Sequence, residues 1–308
     1  MYEGSITDVS GLLVGHAQDT QALTGVTVVL SSNGAVCGVD VRGSAPGTRE
    51  TDFMGQAKAV KQAHAVVLAG GSAYGLAAAD GVMTFCERQD IGLGTPDGIV
   101  PIVPAAVIYD LGYGRNDVRP NAGMGYAACV NAGARVQQGS IGAGIGATVG
   151  KVLGMKCCQK GGIGTASVFL GDGATVGALV CVNAFGDIVE NGDIIAGAIR
   201  GGKHVGTVQH MISGKTDTHV FKNMNTTIGV VATDALLDKD GATKLAQASH
   251  DGLARSIAPV HTELDGDTMF GLSYGGRAGD LSALCVAAAE ATRRAVVNAV
   301  LAIGVESL

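Results

Sequence analysis

Two carboxylates separated by a single glycine, Asp265 and Asp267, precede one apolar β-type run, and two adjacent hydroxyls, Thr226 and Thr227, open another. A threonine hydroxyl is a poor nucleophile unless a base lies beside it. Cleavage of the peptide bond between Asn225 and Thr226 would supply that base. A free α-amine has a reference pKa of about 7.7–8.0, against about 10.4 for lysine, and is substantially neutral near physiological pH. The boundary between a loop and a strand suits such a cut, since the loop can strain the bond and the strand then holds the new terminus. The plainer reading is a strand that begins with β-favouring threonines. Asp265 and Asp267 converge on one site if the chain turns at Gly266. A solvated turn is the alternative, and a metal is disfavoured because Asp-x-Asp lacks the remaining ligands of a calcium loop.

Other patterns carry less. The run GAGIGATVGK at residues 142–151 meets the relaxed G-x-G-x-x-A form but shows neither the preceding strand nor the later acidic residue that a dinucleotide fold requires. It also misses the phosphate-loop pattern, with Ile145 in place of the first glycine and Val152 in place of the magnesium-binding hydroxyl. Close backbone packing accounts for its glycines. The seven histidines form no H-E-x-x-H, and no G-x-S-x-G elbow supports a serine triad. The seven cysteines are scattered, without C-x-x-C or zinc spacing, and read as reduced thiols of a cytoplasmic protein. No cofactor or metal is expected.

The elements that must position these groups are short β-branched runs bounded by Gly, Asn and Asp. They fall at residues 25–30, 35–41, 65–69, 100–109, 175–183, 226–233 and 268–272. Helical periodicity marks three segments. One begins at Ser72 as N-cap, with Tyr74, Ala77, Ala78 and Phe85 on a face. A second runs from about Gly241 through Leu245, Leu253 and Ile257. The third follows Asp280 and carries a stripe of small residues, Ala288, Ala295 and Ala299, that permits close helix approach. Strands packed on strands with helices outside predict a layered α/β sandwich. No composition break marks a linker, so residues 1–308 read as one domain, and the Gly-rich stretch 139–164 reads as close-packed backbone.

Charged residues make up 16% of the chain, against roughly 25% in average proteins, and 49 of 308 residues are Gly. So little polar cover predicts burial of surface by self-association. A net charge of -6 without a basic stripe disfavours nucleic acid as partner. No apolar run reaches the about 18 residues of a membrane span, and the N-terminal run lacks the features of a secretory signal, so a soluble, cytoplasmic protein is expected.

Seven segments taken in order resemble the self-processing aminopeptidase family: ITDVSGLLVGH at 6–16, RGSAPGTRETD at 42–52, GGSAYG at 70–75, GATVGK at 146–151, GGIG at 161–164, NTTIGVVATDA at 225–235 and DGDT at 265–268. That family includes the L-aminopeptidase/D-esterases, the β-peptidyl aminopeptidases and the endo-type 6-aminohexanoate (nylon) oligomer hydrolases. The resemblance implies a four-layer αββα sandwich similar to that of N-terminal nucleophile hydrolases but with different connectivity. It implies self-cleavage between Asn225 and Thr226 into an α-chain of residues 1–225 and a β-chain of 226–308 that stay associated, assembled as a homotetramer. It also implies an acyl-enzyme mechanism on small peptides, amino-acid amides or 6-aminohexanoate-type oligomers. Thr226 would be the nucleophile, Asp265 and Asp267 with Lys151 the orienting charges, Asn183 an oxyanion donor and Tyr109 the tyrosine near the site, with Tyr74 and Tyr113 as rivals. Threonine with two aspartates is closer to the nylon-oligomer branch than to the aminopeptidases, which generally have serine and a Ser/Glu pair there. Two other readings are an acyltransferase of the ornithine acetyltransferase type and an unprocessed, non-catalytic binding homologue.

Overall fold

The computed structural model describes residues 1–55, 58–214 and 225–303. Nine of its strands form one hydrogen-bonded sheet: β1 (Leu12–Asp19), β2 (Thr24–Val41), β3 (Thr48–Arg49), β4 (Gln62–Ala69), β5 (Ala105–Val107), β6 (Gly162–Phe169), β7 (Thr175–Asn183), β8 (Thr226–Ala235) and β9 (Thr268–Arg277). The order is β6-β7-β8-β9-β2-β4-β5-β3, with β1 paired to β2. Two runs expected to be separate strands, 25–30 and 35–41, are the two halves of β2. Its first half pairs with β1 and β4, its second with β9, and the register against β4 shifts between Leu30 and Ala35. Gly34, with φ of +75°, supplies the left-handed step at that shift.

Because side chains alternate along a strand, each half of the sheet has two apolar faces. Val26, Val28 and Leu30 of β2, with Ala65, Val67 and Ala69 of β4, cover the helices α1 (Ala78–Arg88) and α2 (Ala122–Val130). The opposite face, with Val29, Val66 and Leu68, meets Leu179, Cys181, Ile228, Val230, Phe270 and Leu272 across the interior. The outer face of that second half, including Val180, Val182, Val231 and Met269, packs on α3 (Lys239–Ala254) and α4 (Leu281–Leu301). The layers therefore run helix, sheet, sheet, helix, and the bent β2 passes between the two sheet layers. Each fully buried Leu, Ile or Phe stabilises the fold by about 1.5–3 kcal/mol. The three apolar layers thus hold the site in place.

The crossovers follow from strand direction. β8 and β9 run parallel and are joined through α3, and β4 and β5 run parallel and are joined through α1. Asp238 caps α3, its Oδ1 accepting from Gly241 N at 2.8 Å, and Asp280 caps α4.

Several expectations are corrected. Ser72 is not a helix cap. It has φ of +54° inside a 3-10 turn, Ser72–Ala77, and α1 starts only at Ala78. Tyr74, expected on a packed face, is exposed, with Arg119 stacked 3.8 Å from its ring centre. Within 100–109 only Ala105–Val107 joins the main sheet, because Pro101 and Pro104 lack ladder N–H groups. Ile257 leaves α3 and begins a two-residue strand, Ile257–Ala258. All seven cysteines are thiols. No helix among the described residues is long and apolar enough to cross a membrane.

The small-residue stripe of α4 serves the close approach expected of it. A Cβ added to Gly164 in β6 would lie 1.9 Å from the Ala295 carbonyl oxygen and 2.4 Å from Ala299 N. Gly164→Ala should therefore destabilise the fold by about 1–3 kcal/mol or more, read as a fall in thermal midpoint. Gly171→Ala, which meets no atom within 4 Å, should leave the midpoint nearly unchanged; equal midpoints for the two variants would contradict this packing.

Candidate active site

The site lies where β7 ends and β8 begins. Thr226 is the first residue of β8 and sits opposite Asn183, the last of β7. Its side chain has the same parity as Ile228 and Val230, so it points into the space between the sheet layers, as does Asn183 with Leu179 and Cys181. Thr227 has the opposite parity and is directed toward the helical layer. Of two neighbouring hydroxyls, the pleat presents one to the interior between the sheets.

Several hydrogen bonds orient Asn183. Its Oδ1 accepts from Lys151 Nζ at 2.9 Å and from the Thr148 backbone N–H at 3.0 Å, while its Nδ2 donates to the Tyr109 carbonyl at 3.2 Å. Lys151 Nζ also donates to the Asn183 backbone carbonyl at 2.9 Å. Tyr109 thus reaches the site through its main chain. Its side chain shares a small cavity with Tyr113, Thr148 and Lys151. Tyr113 lies under Lys160, 4.2 Å from its ring centre, and Tyr74 is remote and exposed.

The two carboxylates flank the Asn225–Thr226 bond. Asn225 bridges to Asp265, and the Gly266 N–H donates to the Asn225 carbonyl at 3.0 Å. The Thr226 hydroxyl contacts the same carbonyl oxygen. Asp267 Oδ1 accepts from Thr227 N at 2.6 Å, tying this carboxylate to the first turn of the strand. Asp265 Oδ2 accepts from the N–H and hydroxyl of Thr262 at 3.0 and 2.5 Å, and its Oδ1 from Phe185 N at 3.4 Å. The turn at Gly266 thus brings the Asp265 main chain to Asn225 and the Asp267 carboxylate to Thr227.

Lys151, Asp265 and Asp267 are each no more than 2% exposed. Burial lowers Lys151 to about 7, opposed by Cys158 and by both aspartates. Burial, with the charge of Asp267 added to it, raises Asp265 to about 6. Effective removal of an ion from water costs several kcal/mol, so the cationic and anionic groups are retained only because they face one another and accept or donate hydrogen bonds.

Two features were not read from the sequence. His261 Nδ1 lies 2.8 Å from Asp267 Oδ2, and its backbone N–H lies 3.2 Å from the same oxygen. The second is the segment leaving β2: Arg42 N and Gly43 N donate to the Asp267 carbonyl at 3.0 and 3.3 Å, and Ala45 N to the Asp265 carbonyl at 2.9 Å. The signal for His261 was its place six residues before Asp267, but proximity in sequence alone does not give a side-chain direction. Among the described residues no group of three or more His, Cys, Asp or Glu is arranged to hold a metal ion.

A buried hydroxyl, carboxylates and a lysine gathered at the end of a central strand are groups that amide-bond hydrolysis can use. The chain belongs to peptidase family S58, whose sequence profile matches residues 4–304. It is 45% identical over 287 residues to an uncharacterized aminopeptidase of Mycobacterium tuberculosis, covering 88% of this chain and 81% of that one. It is 32% identical over 277 residues to a 6-aminohexanoate-oligomer endohydrolase of Kocuria sp. strain KY2, covering 86% and 74%. The fold is shared with a Burkholderia sp. beta-aminopeptidase, with a TM-score of 0.71 and 24% identity over 99% of this chain and 88% of that one. It is also shared with the L-aminopeptidase D-Ala-esterase/amidase of Ochrobactrum anthropi, with a TM-score of 0.73 and 21% identity over 98% and 89%.

The main-chain contact between 42–45 and 265–267 tolerates no side chain at its centre. A Cβ on Gly43 would lie 2.3 Å from Asp267 N and 2.4 Å from the Asp265 carbonyl oxygen, both backbone atoms. Gly43→Ala should displace the carboxylates and lower amide hydrolysis by about 10²-fold, with Gly276→Ala, which meets nothing within 4 Å, as an active control. Undiminished turnover in Gly43→Ala would show that this contact does not set the geometry of the site.

Proposed function

We propose that this hydrolase cuts its own chain between Asn225 and Thr226 and then uses Thr226 as an N-terminal nucleophile. The supporting observation is the state of the Asn225 carbonyl, which accepts from the Gly266 N–H at 3.0 Å while the Thr226 hydroxyl lies against it. Attack of Thr226 Oγ on that carbonyl carbon places negative charge on an oxygen that already faces a backbone donor. The amide nitrogen takes the hydroxyl proton as the C–N bond breaks, leaving an ester. Water then cleaves the ester, giving the Asn225 carboxylate and restoring the Thr226 hydroxyl beside a free α-amine. In the second phase the α-amine takes the hydroxyl proton, Oγ attacks a substrate amide, and the proton passes to the leaving amine. Water releases the acyl group. Lys151 and the two aspartates orient the reacting hydroxyl and amine, and Asn183, held opposite Thr226, lines the oxyanion side.

Residues 226–308 would remain bound to 1–225 after cleavage, because β8 is hydrogen-bonded to β7 on one side and β9 on the other. The substrates we propose are small peptides, amino-acid amides or 6-aminohexanoate-type oligomers, in line with the names of the relatives. The processed unit would assemble into a homotetramer, as the family resemblance implies, and the low charged content supports self-association.

A denaturing gel should show two fragments, and sequencing of the smaller should read Thr-Thr-Ile-Gly; Thr226→Ala should stay intact and lose amide hydrolysis by about 10⁴-fold or more. A chain that remains whole after long incubation while hydrolysing p-nitroanilides would remove the proposed nucleophile.

The pH dependence of self-cleavage reports the buried charged groups without the α-amine, since no α-amine at residue 226 exists before the cut. Asp265, raised to about 6 by burial and by Asp267, is ionised above that value and supports the charge on Lys151. The rate of fragment appearance should fall about tenfold per pH unit below about 6, hold between about 6 and about 7, and fall again above about 7 as Lys151 loses its charge. A rate unchanged from about pH 7 to about pH 5 would take Asp265 out of the reacting network.

A further inference from the structure

We propose that His261 is a positioning residue of this site: its ring holds the Asp267 carboxylate in the orientation that serves Thr226. The inference rests on the proposed role of Thr226 as nucleophile.

Asp267 accepts three hydrogen bonds. One comes from Thr227 N at 2.6 Å, and the other two both come from His261, through the ring Nδ1 at 2.8 Å and the backbone N–H at 3.2 Å. The ring contact is made with Nδ1 as donor and the carboxylate oxygen as acceptor. His261 thereby occupies Oδ2 completely from one residue, and Oδ1 is left to fix the main chain next to the nucleophile. Without the ring, Oδ2 keeps only the longer backbone contact, and rotation of the carboxyl group about its Cβ–Cγ bond is no longer opposed.

The ring itself is braced. It packs edge-on against His250, with ring centres 4.8 Å apart and planes at 68°. His250 is fully buried, and its Nε2 lies 3.1 Å from the Asp40 carbonyl on β2. The carbonyl can only accept, so His250 carries its proton on Nε2. Burial lowers its pKa to about 4, and the ring it presents to His261 is neutral. His261 also sits at φ of +55°, in the left-handed region that a non-glycine residue adopts only when its surroundings enforce it. A histidine in that backbone state, donating twice to one oxygen of a buried carboxylate, is placed for Asp267; among the described residues its Nε2 has no hydrogen-bond partner.

Chain cleavage and p-nitroanilide turnover should be measured in the wild type, His261→Ala and His261→Asn, with thermal midpoints recorded for all three. The asparagine Nδ2 stands near the place of the imidazole Nδ1 and retains a donor to Oδ2. We expect His261→Ala to lower kcat by about 10²-fold with KM within about twofold, from misplacement of the reacting groups. His261→Asn should recover most of that loss even where its thermal midpoint is no higher than that of the alanine variant. Equal losses in the two variants, or losses that track the thermal midpoint, would make His261 a structural residue only. If the wild type cuts its chain and His261→Ala does so at the same rate, the inference fails while the proposed function stands. A wild type that neither cuts nor turns over substrate defeats both.

Discussion

A lysine and two aspartates enclosed between sheet layers impose the constraint on which the site depends. Lys151, Asp265 and Asp267 are removed from water, and the cost of doing so is several kcal/mol per ion before compensation. Their attraction alone does not offset this. The remaining lone pairs and protons must be satisfied, and here the main chain does most of it: Thr227 N, His261 N, Thr262 N and Phe185 N donate to the carboxylates, and the Asn183 carbonyl accepts from the lysine. Main chain comes that close only where side chains do not intervene. The glycines at 43 and 266, whose Cβ positions would fall against backbone of the facing segment, are the steric counterpart of the buried charges.

This requirement explains the path of β2. The strand begins in the sheet layer covered by α1 and α2, bends near Gly34, and ends beside β9 in the layer covered by α3 and α4. Its continuation, residues 42–45, then runs directly onto the main chain of 265–267. The same strand that joins the layers delivers one wall of the site. Asp40, near its end, also receives the His250 hydrogen bond that braces His261. Packing of the two layers and alignment of the carboxylates are therefore not independent: a change in the bend of β2 would be felt at Asp265 and Asp267.

Much of this was legible in the sequence. The runs at 175–183, 226–233 and 268–272 became β7, β8 and β9 because β-branched residues between turn formers leave little ambiguity. The helices after Asp238 and Asp280 carry both a cap and an apolar stripe. The elements that escaped lack such signals. α2 spans AGMGYAACV, with two glycines and hardly any amphipathic contrast, and is recognisable only from the Asn121 cap, whose Oδ1 accepts from Met124 N at 3.1 Å. Gly162–Phe169 was not read as a strand, its first three residues falling in the stretch 139–164 read as close-packed backbone or tight turns, because its glycines serve the approach of α4 and thin out the β pattern. In the site, Thr226 lies opposite Asn183, Asn183 accepts from Lys151, Asp265 bridges to Asn225 and Asp267 accepts from Thr227 N, while Tyr109 is joined to Asn183 through its carbonyl. His261 escaped because a histidine six residues from a carboxylate has no fixed direction until the turn is formed.

The run Asn225-Thr226-Thr227 shows what a sequence leaves undetermined and how the fold resolves it. Two hydroxyls stand side by side, chemically alike, and either could follow a cleaved bond. Pairing of β8 with β7 places Thr226 opposite Asn183 and on the inner face with Ile228 and Val230, while Thr227 turns toward the helices and gives its N–H to Asp267. A register slip of one residue would exchange the two faces, bury Ile228 and Val230 against the helices and turn Val231 into the space between the layers. Both faces are apolar, so what such a slip would change is volume: the inner face would exchange Ile228 and Val230 for Gly229 and Val231, and the helical face would receive the larger pair. By filling the two faces as they do, the residues that follow along the strand help to hold Thr226 opposite Asn183.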